Sequence, residues 1–538
     1  MNKMISLLDC TLRDGAYVVD GKFGDNAIKG IIKKLTDANI DIIECGWLKD
    51  SEYEEGTSYF HVPSDLISCI GEKSDNTTYV VMIDYNRYNI DSLPENNGKS
   101  IDAIRVVFPY GQVEEGIRVG RKIKEKGYKV YFQAANTLAY TNDDLKKLAR
   151  ATNELKPVGL SVVDTFGAMY EDDLERIVKV LDVELDEDIE LGFHSHNNQQ
   201  LSFALVMSFV NMLKKSNRNI ILDSTLCGMG RGAGNAATEL VCNYLNNKQS
   251  GNYDMNVVMD VIDIYMSYFL EKYSWGYSTP YFIAGMYCCH VNNIAYLQKN
   301  HRTNSRDMRN IIESLSPEDR KKYDYDLLEK KYIENQDRLV DDEETIEKLR
   351  NDCKDKNILL VAPGKSVITE KEKVKKYIEE NNPIVIAVNA LNDEYTFDYL
   401  FLISSVRYDY AKEMYPEIFF KIKKILLSCI KTEVSNDEMI INFNRVVKYG
   451  WEHFDNAVLD CLRLLDNLHV KNVAIAGFDE FKNEYNESYA DEALPTVNPD
   501  NDWTKLNEEI LDMFMDFRSK MKHIENLQFI TNSHFDVK

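Results

Sequence analysis

The chain has 538 residues and a formal charge of −24; 44% of its residues are hydrophobic, 28% charged and 11% aromatic. That length exceeds what one hydrophobic core serves, so two or three domains are expected, and the aromatic content excludes long disorder. The negative charge makes nucleic acid and anionic membrane surfaces poor partners, and no run of 18 apolar residues is present to cross a bilayer.

The first residues reach Asp9 too early for a secretory signal. The ten cysteines are irregularly spaced, with no CxxC pair, which predicts reduced thiols and a cytoplasmic protein. From the start, short runs rich in Val, Ile and Leu alternate with amphipathic stretches. Strands are expected at 4–12, 41–46, 79–84, 102–108, 128–134, 158–164, 189–194 and 219–225. Helices are expected at 25–39, 112–127, 141–155, 170–183, 197–213 and 234–247, with Asp25 and Thr141 as N-caps. Eight such units predict a (β/α)8 TIM barrel over residues 1–250.

Residues 251–355 read as a helical extension and a charged linker, which marks the domain boundary. A second strand–helix pattern occupies 356–538, with strands at 357–362, 383–388, 398–404, 423–428 and 472–477. It predicts a Rossmann-like open α/β domain. Its first turn, Pro363-Gly364-Lys365-Ser366, offers a weak phosphate-cradle signal.

In a barrel the reactive groups stand where strands end. The first strand runs into Arg13-Asp14, a cation beside a hard oxygen ligand suited to Mg²⁺ or Mn²⁺. The seventh ends in His194-Ser195-His196; residues two apart on a strand share a face roughly 6.5–7 Å apart, so both imidazoles turn toward one point. Glu44 and Asp164-Thr165 place further polar groups at strand ends. The eighth strand enters a glycine-rich turn containing Gly230 and Gly232, whose amides can approach a ligand.

LDCTLRDG, IDIIECG, VVDTFG, GFHSHN and GMGRGAGNAATE, in this order, resemble the HMG-CoA-lyase-like superfamily of TIM barrels over residues 1 to about 300. Its members include 4-hydroxy-2-oxovalerate aldolases, HMG-CoA lyases and isopropylmalate and citramalate synthases. The resemblance implies a divalent metal, Mn²⁺ or Mg²⁺ ahead of Zn²⁺, on Asp14, His194 and His196, with Asn235 as a further ligand. It implies that Arg13 stabilises an enolate while a C–C bond of a 2-oxo acid breaks or forms. Where pyruvate-forming aldolases carry a histidine, this chain has Tyr17, a weaker base at neutral pH. Tyr281, Tyr287 and His290, in the segment that by resemblance covers the mouth, are alternative acid–base groups. Glu44, Asp164, Thr165, Gly230 and Gly232 are expected to contact substrate.

The second half resembles Rossmann-like domains of polysaccharide-biosynthesis proteins through ILLVAPGKS, VAIAGFDEF and FITNSHF. The expected partners are a small 2-oxo acid or aldehyde, a nucleotide or nucleotide-sugar at the C-terminal domain, and further copies of the chain. The competing functions are a Claisen-type acyl-CoA condensing synthase, and a nucleotide-sugar transferase that keeps the barrel as a scaffold.

Overall fold

A computed structural model describes residues 4–300, 303, 305–336, 340–430, 438–451, 454–482, 488–494 and 503–537. The chain divides into two compact units, residues 1–291 with 320–322, and residues 292–319 with 323–538. The stretch 251–355 is divided between them. Its part from 305 onward carries amphipathic helices with buried faces (Met308, Ile311 and Ile312; Ile346 and Leu349).

The first unit is a closed parallel barrel. Its strands are β1 (Ile5–Asp9), β2 (Ile42–Leu48), β4 (Thr78–Asp84), β5 (Ala103–Phe108), β6 (Lys129–Ala134), β7 (Gly159–Asp164), β8 (Glu190–Ser195) and β9 (Ile220–Ser224). Each pairs with its neighbours, and β1 pairs with both β9 and β2, which closes the cylinder. A short strand, β3 (Tyr59–Phe60), adds to β2 outside the ring. Helices on the outer face bury one stripe each, as Asp25–Asp37 does with Ile28, Ile31, Ile32 and Leu35.

Thr141 caps the helix Asn142–Leu155 in a reciprocal pair with Asp144, as expected. Asp25 is instead the first helical residue, preceded by Gly24. Two other helices start later than their periodicity suggests, at Ser202 and Thr238. Before Ser202, Asn197 accepts from the Ser202 amide, while Asn198 donates to Phe166 O and accepts from Ala233 N. These carboxamides hold a turn in place of a first helical turn.

Leu8, Ile42, Val80, Ala103, Tyr131 and Ile221 form one apolar cluster. They come from strands that are not all neighbours, so they meet across the lumen. Two residues further along their strands stand Glu44, Arg105, Gln133 and Asp223, which the period of two also turns inward. The barrel is therefore apolar at one level and ionic at the next, toward its C-terminal mouth.

The second unit is an open parallel sheet of seven strands in the order β14-β13-β12-β11-β10-β15-β16. These are β10 (Asn357–Val361), β11 (Ile384–Val388), β12 (Tyr399–Leu402), β13 (Lys423–Leu427), β14 (Glu438–Ile441), β15 (Asn472–Ala476) and β16 (Asn526–Phe529). The edge strands β14 and β16 were not expected. Each has four residues and lacks the continuous apolar run of a central strand. Strand order reverses between β10 and β15. A cleft with a cavity volume of about 130 Å³ lies there, lined by residues that follow β10, β11, β12 and β15, among them Gly364, Asn389, Ser404 and Phe478.

In the turn after β10, the Ser366 amide is already engaged within the protein. Asp479 accepts from both the amide and the hydroxyl of Ser366, at 2.8 and 2.6 Å, and Gly364 donates its amide to Gly477 O. A Cβ on Gly364 would stand 2.4 Å from Asp479 Cγ, so glycine admits this internal carboxylate.

Candidate metal centre at the barrel mouth

β1 ends at Asp9, three residues earlier than its apolar run suggests, and the chain coils helically through Thr11–Asp14. Asp9 accepts from the Thr11 amide at 2.9 Å and from Thr238 Oγ1 at 2.6 Å. Thr11 Oγ1 in turn accepts from the Leu226 amide at 2.8 Å. These short polar side chains take over from the strand ladder. Burial pushes the Asp9 carboxyl up to about 6, against the bonds from Thr238 and Thr11. The coil carries Arg13 and Asp14 onto the mouth.

A chain of alternating charges crosses the lumen. Arg13 donates from Nη1 to Asp14 Oδ1 at 2.8 Å and from Nε to Glu44 Oε2 at 2.7 Å. Arg105 donates to the same Glu44 oxygen at 2.9 Å and to Asp223 Oδ2 at 2.5 Å. All five residues are 5% exposed or less. Three carboxylates face two guanidiniums, a net formal charge of −1, so a cation finds a complementary field there. Burial would raise the Asp14 carboxyl, but Arg13 and His196 hold it well below the usual carboxylate range.

The imidazoles complete the cluster. Their ring centroids are 5.0 Å apart. His194 Nδ1 lies 3.0 Å from Asp223 Oδ2, and His196 Nδ1 lies 2.9 Å from the carbonyl of Asp164. Both partners are acceptors, so each Nδ1 carries the hydrogen and each Nε2 keeps its lone pair. Burial pushes the His194 imidazole down, outweighing the pull of Asp223, and keeps it in the neutral, ligating form. His196 Nε2 lies 3.5 Å from Asp14 Oδ2; burial opposes its protonation, but Asp14 raises it overall.

Ligand atoms of Asp14, His194 and His196 all lie within 4.8 Å of one another. Asn235 donates through Nδ2 to Asp14 Oδ2, while its buried Oδ1 has no hydrogen-bond partner among the described residues. Turning that amide over exchanges the two atoms and brings a fourth ligand atom, an oxygen, to the cluster. A Cβ on Gly230 would stand 2.3 Å from Asn235 Nδ2 and 2.8 Å from Asp14 Oδ2, so only glycine leaves this space open. The donor set of two imidazoles, a carboxylate and an amide oxygen fits a divalent cation. Cys10, His194 and Asp223 form a second such group, but burial lifts the Cys10 thiol well above its usual value, and Asp223 is already spent on Arg105 and His194.

Around this centre stand the other residues singled out from sequence. Glu44 is fully buried, and its contacts brace Arg13 and Arg105. Asp164 accepts from the amides of Ala168 and Met169, and burial pushes its carboxyl up to about 6. Thr165 Oγ1 accepts from the Asn136 amide at 2.6 Å. A Cβ on Gly232 would stand 2.8 Å from Asn198 Oδ1. Tyr17 is 41% exposed; burial on its inner side raises its phenol, while Arg231 and Arg13 pull the other way. His290 Nε2 lies 3.2 Å from Arg231 Nη1 and must accept, because a guanidinium only donates. Among the described residues, no hydrogen bond joins the Tyr281 hydroxyl to the cluster. Its helix, Thr279–Met286, packs through Gly285 against Gly167 and Asn198.

Sequence reasoning missed Arg105, Asp223 and Arg231. The first two had a signal: each is the charged residue inside an otherwise apolar strand, AIRVVF and IILDS, at an inward position.

Residues 112–265 match the HMGL-like family. An oxaloacetate decarboxylase of Mycobacterium tuberculosis is 27% identical over 236 residues, covering 43% of this chain and 67% of that protein. A 4-hydroxy-2-oxovalerate aldolase of Chloroflexus aurantiacus is 24% identical over 243 residues, 45% of this chain and 68% of the other. Homocitrate synthase AksA of Methanocaldococcus jannaschii is 26% identical over 257 residues, 44% of this chain and 58% of the other. The chain thus spans about two thirds of the first two relatives and less of the third. Among solved structures, the hydroxymethylglutaryl-CoA lyase of Pseudomonas aeruginosa aligns with a TM-score of 0.40 at 17% identity, covering 50% of this chain and 93% of that one. No described helix is long and apolar enough to cross a membrane.

Proposed function

We propose that the barrel is a divalent-metal-dependent lyase or aldolase that breaks or forms a C–C bond of a 2-oxo acid. The reading rests on one observation: Asp14, His194 and His196 bring their ligand atoms within 4.8 Å of one another, with both Nδ1 atoms already engaged. Asn235 is the fourth donor. A divalent cation held there supplies Lewis acidity toward the oxygens of a chelating 2-oxo acid.

The chain's own groups do the rest. Arg13 spends Nε and Nη1 on Glu44 and Asp14, which leaves Nη2 as a donor in fixed orientation. It neutralises negative charge developing on a substrate oxygen without having to reorganise. Glu44, Arg105 and Asp223 set the positions of Arg13 and His194. Tyr17, held as a phenol, donates a proton to a substrate oxygen, the task a histidine has in the aldolases its motif resembles. His290 has its Nε2 lone pair engaged by Arg231 and acts as a positioning residue.

Elemental analysis and proton exchange test this. Close to one equivalent of Mn, Mg or Zn is expected in the purified protein. The C3 hydrogens of pyruvate are expected to exchange into D2O, with exchange lost in chelator and in His194→Ala. No exchange with any 2-oxo acid, together with full activity in chelator, sinks the reading. Acyl-CoA-dependent thiol release moves it to a condensing synthase.

A second reading concerns the other unit. Its cleft straddles the reversal of strand order, where open α/β sheets bind ligands. Ser404 and Asn456, which cap the helices Ser405–Met414 and Ala457–Asn467, line it together with Phe478. A nucleotide or nucleotide-sugar suits such a site. Thermal-shift measurements with CMP, UDP and GDP compounds test this; no shift with any of them removes it.

A further inference from the structure

Three guanidiniums stand at the barrel mouth, and one differs from the others. Arg13 and Arg105 each meet carboxylates at 2.5–2.9 Å. Arg231, half-buried, meets none within ion-pair distance among the described residues. Its contacts are the Tyr17 ring, 3.7 Å from its Cζ, and His290 Nε2 at 3.2 Å. Neither neutralises it: ring stacking leaves the charge in place, and burial together with the charge of Arg231 pushes His290 down to about 3, so that ring stays neutral. The carboxylates Asp84 and Asp20, whose fields reach Tyr17 and Tyr59, lie beyond ion-pair distance.

Its place is as informative as its charge. Arg231 follows Gly230, whose Cβ position abuts Asp14 and Asn235. Tyr17, whose ring lies under Arg231, is also near enough to Arg13 and Asp14 to feel their charges. A chain with 88 acidic against 64 basic residues has carboxylates to spare for a guanidinium. Here it has a neutral acceptor and an aromatic face, which orient the fork without satisfying it.

We propose that Arg231 binds a second carboxylate of the substrate and so selects 2-oxo diacids over 2-oxo monoacids. The inference rests on the 2-oxo acid reading above. A planar guanidinium matches a carboxylate in a bidentate fork, an interaction Lys reproduces only as a point charge.

The test uses the full-length protein with Mn²⁺ and pairs that differ by one carboxylate: 2-oxoglutarate against 2-oxopentanoate, and oxaloacetate against 2-oxobutyrate. Isothermal titration gives Kd, and C3 hydrogen exchange in D2O gives kcat/KM. The wild type is expected to prefer a diacid by about 10- to 100-fold, the span of one charge-assisted pair. In Arg231→Gln the preference falls to about one, and Arg231→Lys restores part of it. A ratio is unaffected by a misfolded fraction, so partial unfolding of a variant does not mimic the result. A wild type without preference, or a preference unchanged in Arg231→Gln, overturns the proposal and leaves the lyase reading standing. Neither binding nor exchange of any 2-oxo acid overturns both.

Discussion

Replacing Arg105 by Met tests the ionic level of the barrel. Arg105 is 1% exposed and bridges Glu44 at 2.9 Å and Asp223 at 2.5 Å, both fully buried. Met fills much of the same volume, so the main loss is charge. Two buried carboxylates then face only Arg13 and the neutral His194. Removing one partner of a buried pair costs about 3–5 kcal/mol, largely from the charge left behind. At about 2 °C per kcal/mol for a unit of this size, the barrel melts some 6–10 °C lower. Urea unfolding followed by hydrogen exchange, read peptide by peptide, keeps the barrel separate from the other unit. Adding Glu44→Gln to Arg105→Met removes one stranded charge and is expected to recover more than half of the loss. A cost below about 1 kcal/mol, or no recovery, shows that the two carboxylates do not depend on Arg105, and the charge-chain argument fails.

Gly230→Ala puts a methyl group 2.3 Å from Asn235 Nδ2 and 2.8 Å from Asp14 Oδ2; Mn²⁺ affinity by titration should fall at least tenfold. Tyr17→Phe should lower kcat for a 2-oxo acid about 10²- to 10⁴-fold while the Kd of oxalate moves little, because a proton donor is lost and the ring remains. In the second unit, Arg445 grips Asp342 with two bonds of 2.6 Å; burial raises that carboxyl, but Arg445 and Asn442 lower it overall. A depressed carboxyl stabilises above its unfolded value near 3.9 and loses that contribution as pH falls through its folded value. Acidification below about pH 4 should therefore destabilise the wild-type unit more than Asp342→Asn, measured by urea melts against pH.

How much was legible depended on where the information is stored. The runs MISLLDCTL and IELGFH announce strands because both faces of a parallel barrel strand are buried, so apolar residues continue without alternation. The His194 and His196 pair was visible because a period of two is local. The end of β1 was not: the apolar run continues to Leu12, but Asp9 and Thr11 are held by Thr238 and Leu226 more than 200 positions away, and those bonds turn the chain. The partner of the Ser366 amide was hidden likewise, because Asp479, which follows another strand, arrives from 113 positions away to accept from it.

The sequence alone determined the barrel, its closing count of strands and the three side chains that share its mouth, because burial periodicity and strand ends are written along the chain. Only the tertiary structure decided which charges neutralise one another. Arg13 and Arg105 look no different from Arg231 in one dimension. The folded ring gives the first two their carboxylates and leaves the third facing a neutral imidazole, since ion pairing acts over a few ångströms of space whatever the distance along the chain.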